Sequence, residues 1–119
     1  MISVRRVPYR GDVWRLKPGA GPDEGAAAFR DRRCYCIVLS ADDFNAANLG
    51  LIVGVPITEV DRGIPLHIPL RIPLFESPRF AKCEELRCIP DLALDEWCGR
   101  IEESLMQQIA DRIRVVLDL

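Results

Sequence analysis

The sequence has one histidine, no CxxC pair and no long apolar run, and each shortage excludes a class of function. A single histidine, His67, excludes a mechanism that needs two histidines as general acid and base. The missing CxxC pairs argue against a zinc site. No apolar run approaches the roughly 20 residues that span a membrane. The first residues, MISVRRVPYRGD, lack the apolar stretch of a signal peptide, so we expect a cytoplasmic protein.

The cysteines are five, an odd number, and they do not suggest a disulfide framework. Cys34 and Cys36 would lie on one face of a strand, where a disulfide between them would be strained. We expect reduced cysteines that serve as small buried apolar residues, and a metal or redox role stays open as the alternative. The sequence thus predicts no cofactor.

The composition predicts one domain over residues 1–119, because 119 residues with 49% apolar and 29% charged residues suit a single core. The net charge of −2 does not indicate a nucleic-acid-binding protein by itself. Its distribution is uneven, since residues 1–35 carry 8 Lys and Arg against 4 Asp and Glu. This basic segment could contact phosphates, or it could be ordinary solvated surface.

The first half of the chain alternates between strand-like runs and turns. Residues 18–32 predict a long mobile loop, whose Gly-, Ala- and Pro-rich part is Pro18–Ala28. The predicted elements around this loop are a strand Asp12–Lys17, a strand Cys34–Ser40, a turn or short helix Ala41–Asn48 and a strand Leu51–Ile57.

The segment Ile64–Leu74, IPLHIPLRIPL, has the most regular pattern. Every even position is aliphatic and every odd position is Pro, His or Arg, so we expect a strand with one buried face and one wet face. The prolines remove N–H groups along one side only, which predicts an edge strand, at least over the first half. His67 is expected on the wet face, as a surface residue.

The remaining segments predict more short strands and a closing helix. They are strands at Phe80–Cys83 and Leu86–Ile89, a turn or helix from Pro90 to Glu96, a strand Trp97–Ile101, and a C-terminal helix that buries Leu105, Met106, Ile109, Ala110, Ile113, Val116 and Leu117. Acidic residues at the helix start and arginines near its end match the macrodipole. The expected fold is mainly β, a small bent barrel with a helix packed on it.

The order of motifs resembles that of the MazF/PemK toxin family over nearly the whole chain. The motifs that carry this resemblance are RGDVW (10–14), VLSADDFN (38–45), GLIVGVPIT (50–58), GIPLHIPL (63–70), AKCEELRCI (81–89) and GRI followed by an amphipathic helix (99–119). Each motif alone would recur by chance, whereas six in this order are jointly specific.

The resemblance implies an SH3-like barrel with a C-terminal helix, usually a homodimer. It implies sequence-specific, metal-independent cleavage of single-stranded mRNA by attack of the 2′-OH on the adjacent phosphate, and a small antitoxin protein that restrains it. An arginine suits the developing phosphate charge, because its guanidinium is always charged and has two donors for phosphate oxygens.

By this resemblance the catalytic residues are Arg33 at the start of the second strand and Thr58 at the end of the third. Cys34 replaces the proline that normally follows the arginine, so the restriction on the preceding backbone is lost. Arg32 and Arg30 are alternatives if the register differs. Asp23 or Glu24 takes the acidic role, although the loop to Arg33 is longer than in the family.

The RNA-binding residues expected from the resemblance are Arg32, Lys17, Lys82, Glu84, Glu85 and Arg87. Glu84 and Glu85 match a position where the family carries an acid followed by Gln, and Lys82 and Arg87 could offset the added negative charge. Trp14 and Trp97 could stack bases, but each is more often a core or dimer-interface residue.

Two rival interpretations remain open at the level of sequence. The chain could be a non-catalytic SH3-like binding module, including a toxin of the same fold that poisons DNA gyrase. It could also be a decayed toxin that keeps only its interactions, because the long loop and the lost proline depart from the family pattern.

Overall fold

The computed structural model describes residues 6–18 and 34–119. The strands are β1 (Asp12–Leu16), β2 (Cys34–Val38), β3 (Leu51–Thr58), β4 (His67–Leu70), β5 (Arg79–Lys82), β6 (Arg87–Pro90) and β7 (Leu94–Arg100). The helices are α1 (Asp42–Ala46) and α2 (Glu103–Leu117), with short 3₁₀ helices at Cys83–Glu85 and Asp91–Ala93. The predicted loop over residues 18–32 lies outside the described residues except for Pro18.

The seven strands form one antiparallel sheet, in which six follow the order β4-β5-β3-β2-β1-β7 and β6 pairs with β3. The long strand β3 pairs with β5 near its end and with β6 near its start, so the 3₁₀ helix at Cys83–Glu85 interrupts what is otherwise one neighbouring strand. The predicted β fold with a C-terminal helix is confirmed. Over the described ranges no hydrogen bonds join β4 to β7, so hydrogen bonds do not close the sheet into the predicted barrel.

Apolar side chains form two clusters on opposite faces of the sheet, as alternation along each strand requires. The first, the helix-side cluster, lies under α2 and contains Val13, Ile37, Val55, Ile68, Leu70, Ala81, Cys83, Ile101, Met106, Ile109 and Ile113. The second, the Trp14 cluster, contains Trp14, Leu16, Cys36, Val38, Ile52, Ile89 and Leu94. Trp14 is therefore a core residue, with 6% of its surface exposed.

Helix α2 confirms most of the predicted apolar face. Met106, Ile109 and Ile113 are buried, with Glu103 in the first turn and Arg114 in the last. The prediction fails at the end, where Val116 and Leu117 are 39% and 48% exposed. Both are more exposed than Ile113 one turn earlier, so periodicity extended the buried face too far.

The Pro-rich segment is an edge strand, as predicted, but a much shorter one. Only His67–Leu70 pairs, with β5 as its neighbour, whereas Ile64 and Leu74 are 38% and 44% exposed. Turns bound the strand, because the N–H of His67 donates to Ile64 O at 3.0 Å and that of Phe75 to Ile72 O at 3.0 Å. The prediction of His67 as a surface residue is wrong, since it is buried.

The last strand and the cysteines differ in part from the prediction. The last strand begins at Leu94 rather than Trp97, because the preceding 3₁₀ helix ends already at Ala93. No disulfide joins the five cysteines, and only Cys36 and Cys83 are buried, so the prediction of small buried residues is confirmed for those two alone. In the described part of the chain, no helix is both long and apolar enough to cross a membrane.

The turn before β1 is held by Asp12, a carboxylate with only 1% exposure. One carboxylate oxygen accepts the backbone N–H of Tyr9 at 2.8 Å, and the other accepts Arg100 Nε at 3.3 Å. Gly11 has φ +91°, a conformation that favours glycine, and its carbonyl accepts the N–H of Ile101 at 3.0 Å. The RGD part of the first motif thus joins the start of β1 to the segment before α2.

Candidate functional site

The start of β2 and the end of β3 meet at one end of the sheet. Tyr35 pairs with Ile57 in the last pair of the two strands, and the same register extended by one residue sets Cys34 opposite Thr58. Thr58 is half-buried, and its hydroxyl oxygen accepts the N–H of Val60 at 3.1 Å. The hydroxyl hydrogen can still donate to a ligand.

The other predicted catalytic residues cannot be placed in the same way. Arg33, Asp23 and Glu24 lie outside the described residues, as do the alternatives Arg32 and Arg30. Their roles therefore stay predictions. Arg33 is the residue that directly precedes Cys34 in the sequence, and Cys34 begins β2.

Thr58, Lys82 and His67 share one face of the sheet. In β3 and β5, Val55, Ile57 and Ala81 face the helix-side cluster, so alternation turns Thr58 and Lys82 to the opposite face. Lys82 pairs directly with His67 across β5 and β4. Lys82 and His67 are thus neighbours, and Thr58 lies about two residues, roughly 7 Å, nearer to the end of the sheet.

An ionic network covers this face. His67 Nε2 lies 2.9 Å and 2.8 Å from the two carboxylate oxygens of Glu84. Lys82 forms an ion pair with Glu85, and Arg87 binds the same carboxylate at 3.2 Å. The structure therefore brings together Lys82, Glu84, Glu85 and Arg87, four of the six predicted RNA-binding residues, and adds the histidine.

The network mixes buried and accessible groups. The side chains of His67 and Lys82 are 2% and 6% exposed, whereas those of Glu84 and Glu85 are 28% and 30% exposed. Both carboxylates are acceptors that a ligand can reach, held from below by buried donors. Burial, and then the charge of Glu84, raise the pKa of the neighbouring Cys83 thiol to about 11, so that thiol is protonated and a poor nucleophile at neutral pH.

Arg79 is a second basic residue at the Thr58 end of the sheet, and sequence reasoning missed it. It precedes Phe80, the partner of Thr58, and its side chain is only 16% exposed. Its guanidinium lies 3.3 Å from Glu59 and 4.7 Å from the ring centre of Phe75. A lone arginine that follows a proline and begins a short strand has no signal in sequence, because only the pairing of β5 with β3 brings it here.

Lys17 lines a cavity that is not lined by Lys82, Glu84, Glu85 or Arg87. A cavity of about 710 Å³ is lined by Lys17, Trp14, Asp91 and Trp97 among others. Trp97 is 38% exposed, and the Arg6 guanidinium lies 3.8 Å above its ring centre. Across residues 6–18 and 34–119, no group of His, Cys, Asp and Glu is arranged to hold a metal ion.

Comparisons with known proteins agree with this architecture. Residues 9–117 match the model of the family described as PemK-like, MazF-like toxin of type II toxin-antitoxin system. Among solved structures, MazF from Deinococcus radiodurans superposes with a TM-score of 0.76 at 21% identity, covering 97% of this chain and 100% of that one. No curated protein sequence matches the chain.

Two mycobacterial structures are also similar in fold. An endoribonuclease from a mycobacterial species has a TM-score of 0.73 at 18% identity, covering 98% of this chain and 97% of that one. An endoribonuclease in complex with its cognate antitoxin, also mycobacterial, has a TM-score of 0.73 at 17% identity and covers 97% of both chains.

Proposed function

The chain belongs to the PemK-like, MazF-like family of toxins of type II toxin–antitoxin systems, and from this premise we propose that it is an endoribonuclease that cleaves single-stranded mRNA. The reaction is attack of the ribose 2′-OH on the adjacent phosphate, and the protein supplies no metal. The observation that carries the proposal is the meeting of the β2 start with Thr58, on the face that carries the Lys82–Glu85 network.

Arg33 and Thr58 divide the work on the phosphate in this proposal. The guanidinium of Arg33 stabilises the negative charge that grows on the phosphoryl oxygens, and this is the largest expected contribution. The hydroxyl of Thr58 donates to a phosphate oxygen or orients the 2′-OH. Asp23 or Glu24 assists proton transfer. The guanidinium, the hydroxyl and the carboxylate together take the place of a catalytic histidine pair, which the sequence lacks.

The network face binds the RNA strand next to the cleaved bond. Glu84 and Glu85 are acceptors for base N–H groups, whereas Lys82 and Arg87 balance their charge beside the phosphates. In this network the charges of Lys82 and Arg87 are balanced by two glutamates. Most of the affinity for phosphates would therefore come from Arg32, Arg33 and Lys17. Base selection is thus assigned to the network and charge stabilisation to the β2 start.

The proposed partners follow from the family. A small antitoxin protein restrains the toxin, and the toxin acts as a homodimer in the cytoplasm, where mRNA is found. One solved relative is an endoribonuclease in complex with its cognate antitoxin, and this supports the proposal of such a partner here.

RNA cleavage by purified protein tests the proposal. A long single-stranded RNA is incubated with the protein in excess EDTA, and the products are mapped. We expect discrete cuts that leave 5′-OH ends. Arg33→Ala should lower the rate by about 100-fold or more, by analogy with loss of one donor to a developing oxyanion. Thr58→Val, which keeps the shape of the side chain, should lower it by about tenfold or more, as loss of a neutral hydrogen bond.

Arg114→Ala is the matched control, because Arg114 is an exposed arginine on α2 that pairs with Asp111. It should cleave at the wild-type rate. Intact RNA with the wild-type protein, together with tight binding to a protein target such as DNA gyrase, would instead support a binding module. An Arg33→Ala variant that still arrests cell growth as the wild type does would refute the role of Arg33.

A further inference from the structure

His67 is a buried polar residue in which only one of the two ring nitrogens has a hydrogen-bond partner among the described residues. Its side chain is 2% exposed, and its Nε2 contacts both oxygens of Glu84 at 2.9 Å and 2.8 Å. Its other ring nitrogen, Nδ1, is buried and has no hydrogen-bond partner among the described residues. Burying a polar atom without a partner is unfavourable, so an apolar side chain would suit the fold better at this position.

The contact with Glu84 indicates which ring nitrogen of His67 bears a hydrogen. A carboxylate only accepts hydrogen bonds, so Nε2 holds the hydrogen and donates it between the two oxygens of Glu84. Both oxygens are thereby fixed, although each keeps a free lone pair. Glu84 remains 28% exposed, so these lone pairs can be reached from solvent.

The position of the pair connects it to the candidate site. His67 pairs with Lys82 on the sheet face that also carries Thr58. Lys82 itself binds the next acid, Glu85. Two buried donors on neighbouring strands therefore each hold one of two consecutive, solvent-accessible carboxylates.

We propose that His67 is a positioning residue that orients Glu84 to accept hydrogen bonds from the edge of a nucleobase in the bound RNA. This inference rests on the proposed endoribonuclease function and adds to it the residue that holds Glu84 in place for base selection. A fixed carboxylate with two outward lone pairs selects a base edge that presents N–H donors, such as the N1–H and amino group of guanine. A freely rotating carboxylate would select less, because it can also turn away from the RNA.

The test is a set of variants that separates positioning from folding. His67→Leu removes the donor and the unpartnered nitrogen, so we expect a melting temperature equal to or above that of the wild type. We expect kcat/KM for a short RNA substrate to fall about tenfold, mainly through KM, and the preference at one base of the cleavage site to weaken. His67→Gln, which keeps an N–H donor, should recover most of this loss.

A double-mutant cycle identifies Glu84 as the group through which His67 acts. Glu84→Gln alone should lower kcat/KM, and adding His67→Leu to it should cause less than a twofold further change. Independent, additive losses would overturn the inference. The exposed pair Arg114–Asp111 on α2 provides the control, since breaking it should change neither KM nor base preference.

The outcomes also separate this inference from the proposed function. If the wild type cleaves RNA and His67→Leu has unchanged KM and base preference at equal stability, His67 has no positioning role while the nuclease assignment survives. If His67→Leu lowers activity only in proportion to a lower melting temperature, the role is structural. If the wild type neither cleaves nor binds the RNA, the proposed function fails, and the inference fails with it.

Discussion

Replacing Asp12 should destabilise the protein without changing its chemistry. The carboxylate is 1% exposed and accepts the Tyr9 N–H at 2.8 Å and Arg100 Nε at 3.3 Å. A hydrogen bond to a charged group contributes about 1.5 to 3 kcal/mol. The Arg100 side chain is 57% exposed, so screening reduces its share to below about 1 kcal/mol. We expect Asp12→Ala to lower the free energy of unfolding by about 2 to 3 kcal/mol.

Urea unfolding monitored by tryptophan fluorescence measures this loss. With a slope of about 1 to 1.5 kcal/mol per molar urea, the midpoint should fall by about 2 M. Asp12→Asn keeps an oxygen for the Tyr9 N–H and should lose only about half as much, and Arg100→Gln should lose least. Asp12 lies at the opposite end of β1 from Lys17, so activity per folded molecule should stay unchanged. An Asp12→Ala midpoint within 0.3 M (roughly 0.5 kcal/mol) of the wild type would refute the assigned role.

Two further predictions concern stability. Gly54→Ala would place a Cβ 2.8 Å from Ile89 Cδ1 and 3.2 Å from Ile37 O. We therefore expect the free energy of unfolding to fall by about 1 to 3 kcal/mol. An unchanged melting temperature would mean that Ile89 can move aside. Burial raises the pKa of the Cys36 thiol from 9.0 to about 12, so above pH 9 the unfolded chain loses this proton before the folded chain does. The free energy of unfolding should therefore fall by about 1 kcal/mol from pH 9 to pH 10, and Cys36→Val should reduce that decline in urea titrations.

Local sequence patterns correctly predicted those strands and helices in which the buried residues recur with the period of the element. The strand over Cys34–Val38 and the helix that buries Met106, Ile109 and Ile113 follow from β propensity and a helical repeat. The same periodicity failed at Val116 and at the ends of the Pro-rich strand. In both places the pattern continues along the chain, whereas burial stops where no element of residues 6–18 and 34–119 covers the side chains.

Some residues of the candidate site could be found from sequence motifs, whereas others could be found only from the structure. The motif order led to Thr58 and to the consecutive acids Glu84 and Glu85. Arg79 could not be found, because its approach to the Thr58 end depends on the pairing of β5 with β3. His67 was predicted to be exposed, but it is buried. Alternation tells which residues share a face of the sheet, but not whether other residues cover that face.

The sequence by itself determined the succession of strands along the chain, the closing helix and the resemblance to the family, because these depend on local propensity and on motifs in a set order. Only the tertiary structure decided that His67 is buried, that its Nε2 holds Glu84, and that Lys82 holds Glu85 beside it. The first contact joins strand β4 to the 3₁₀ helix at Cys83–Glu85, and the second is local but rests on a buried lysine. The strength of both depends on exclusion of water, which arises only when the faces of the sheet are covered.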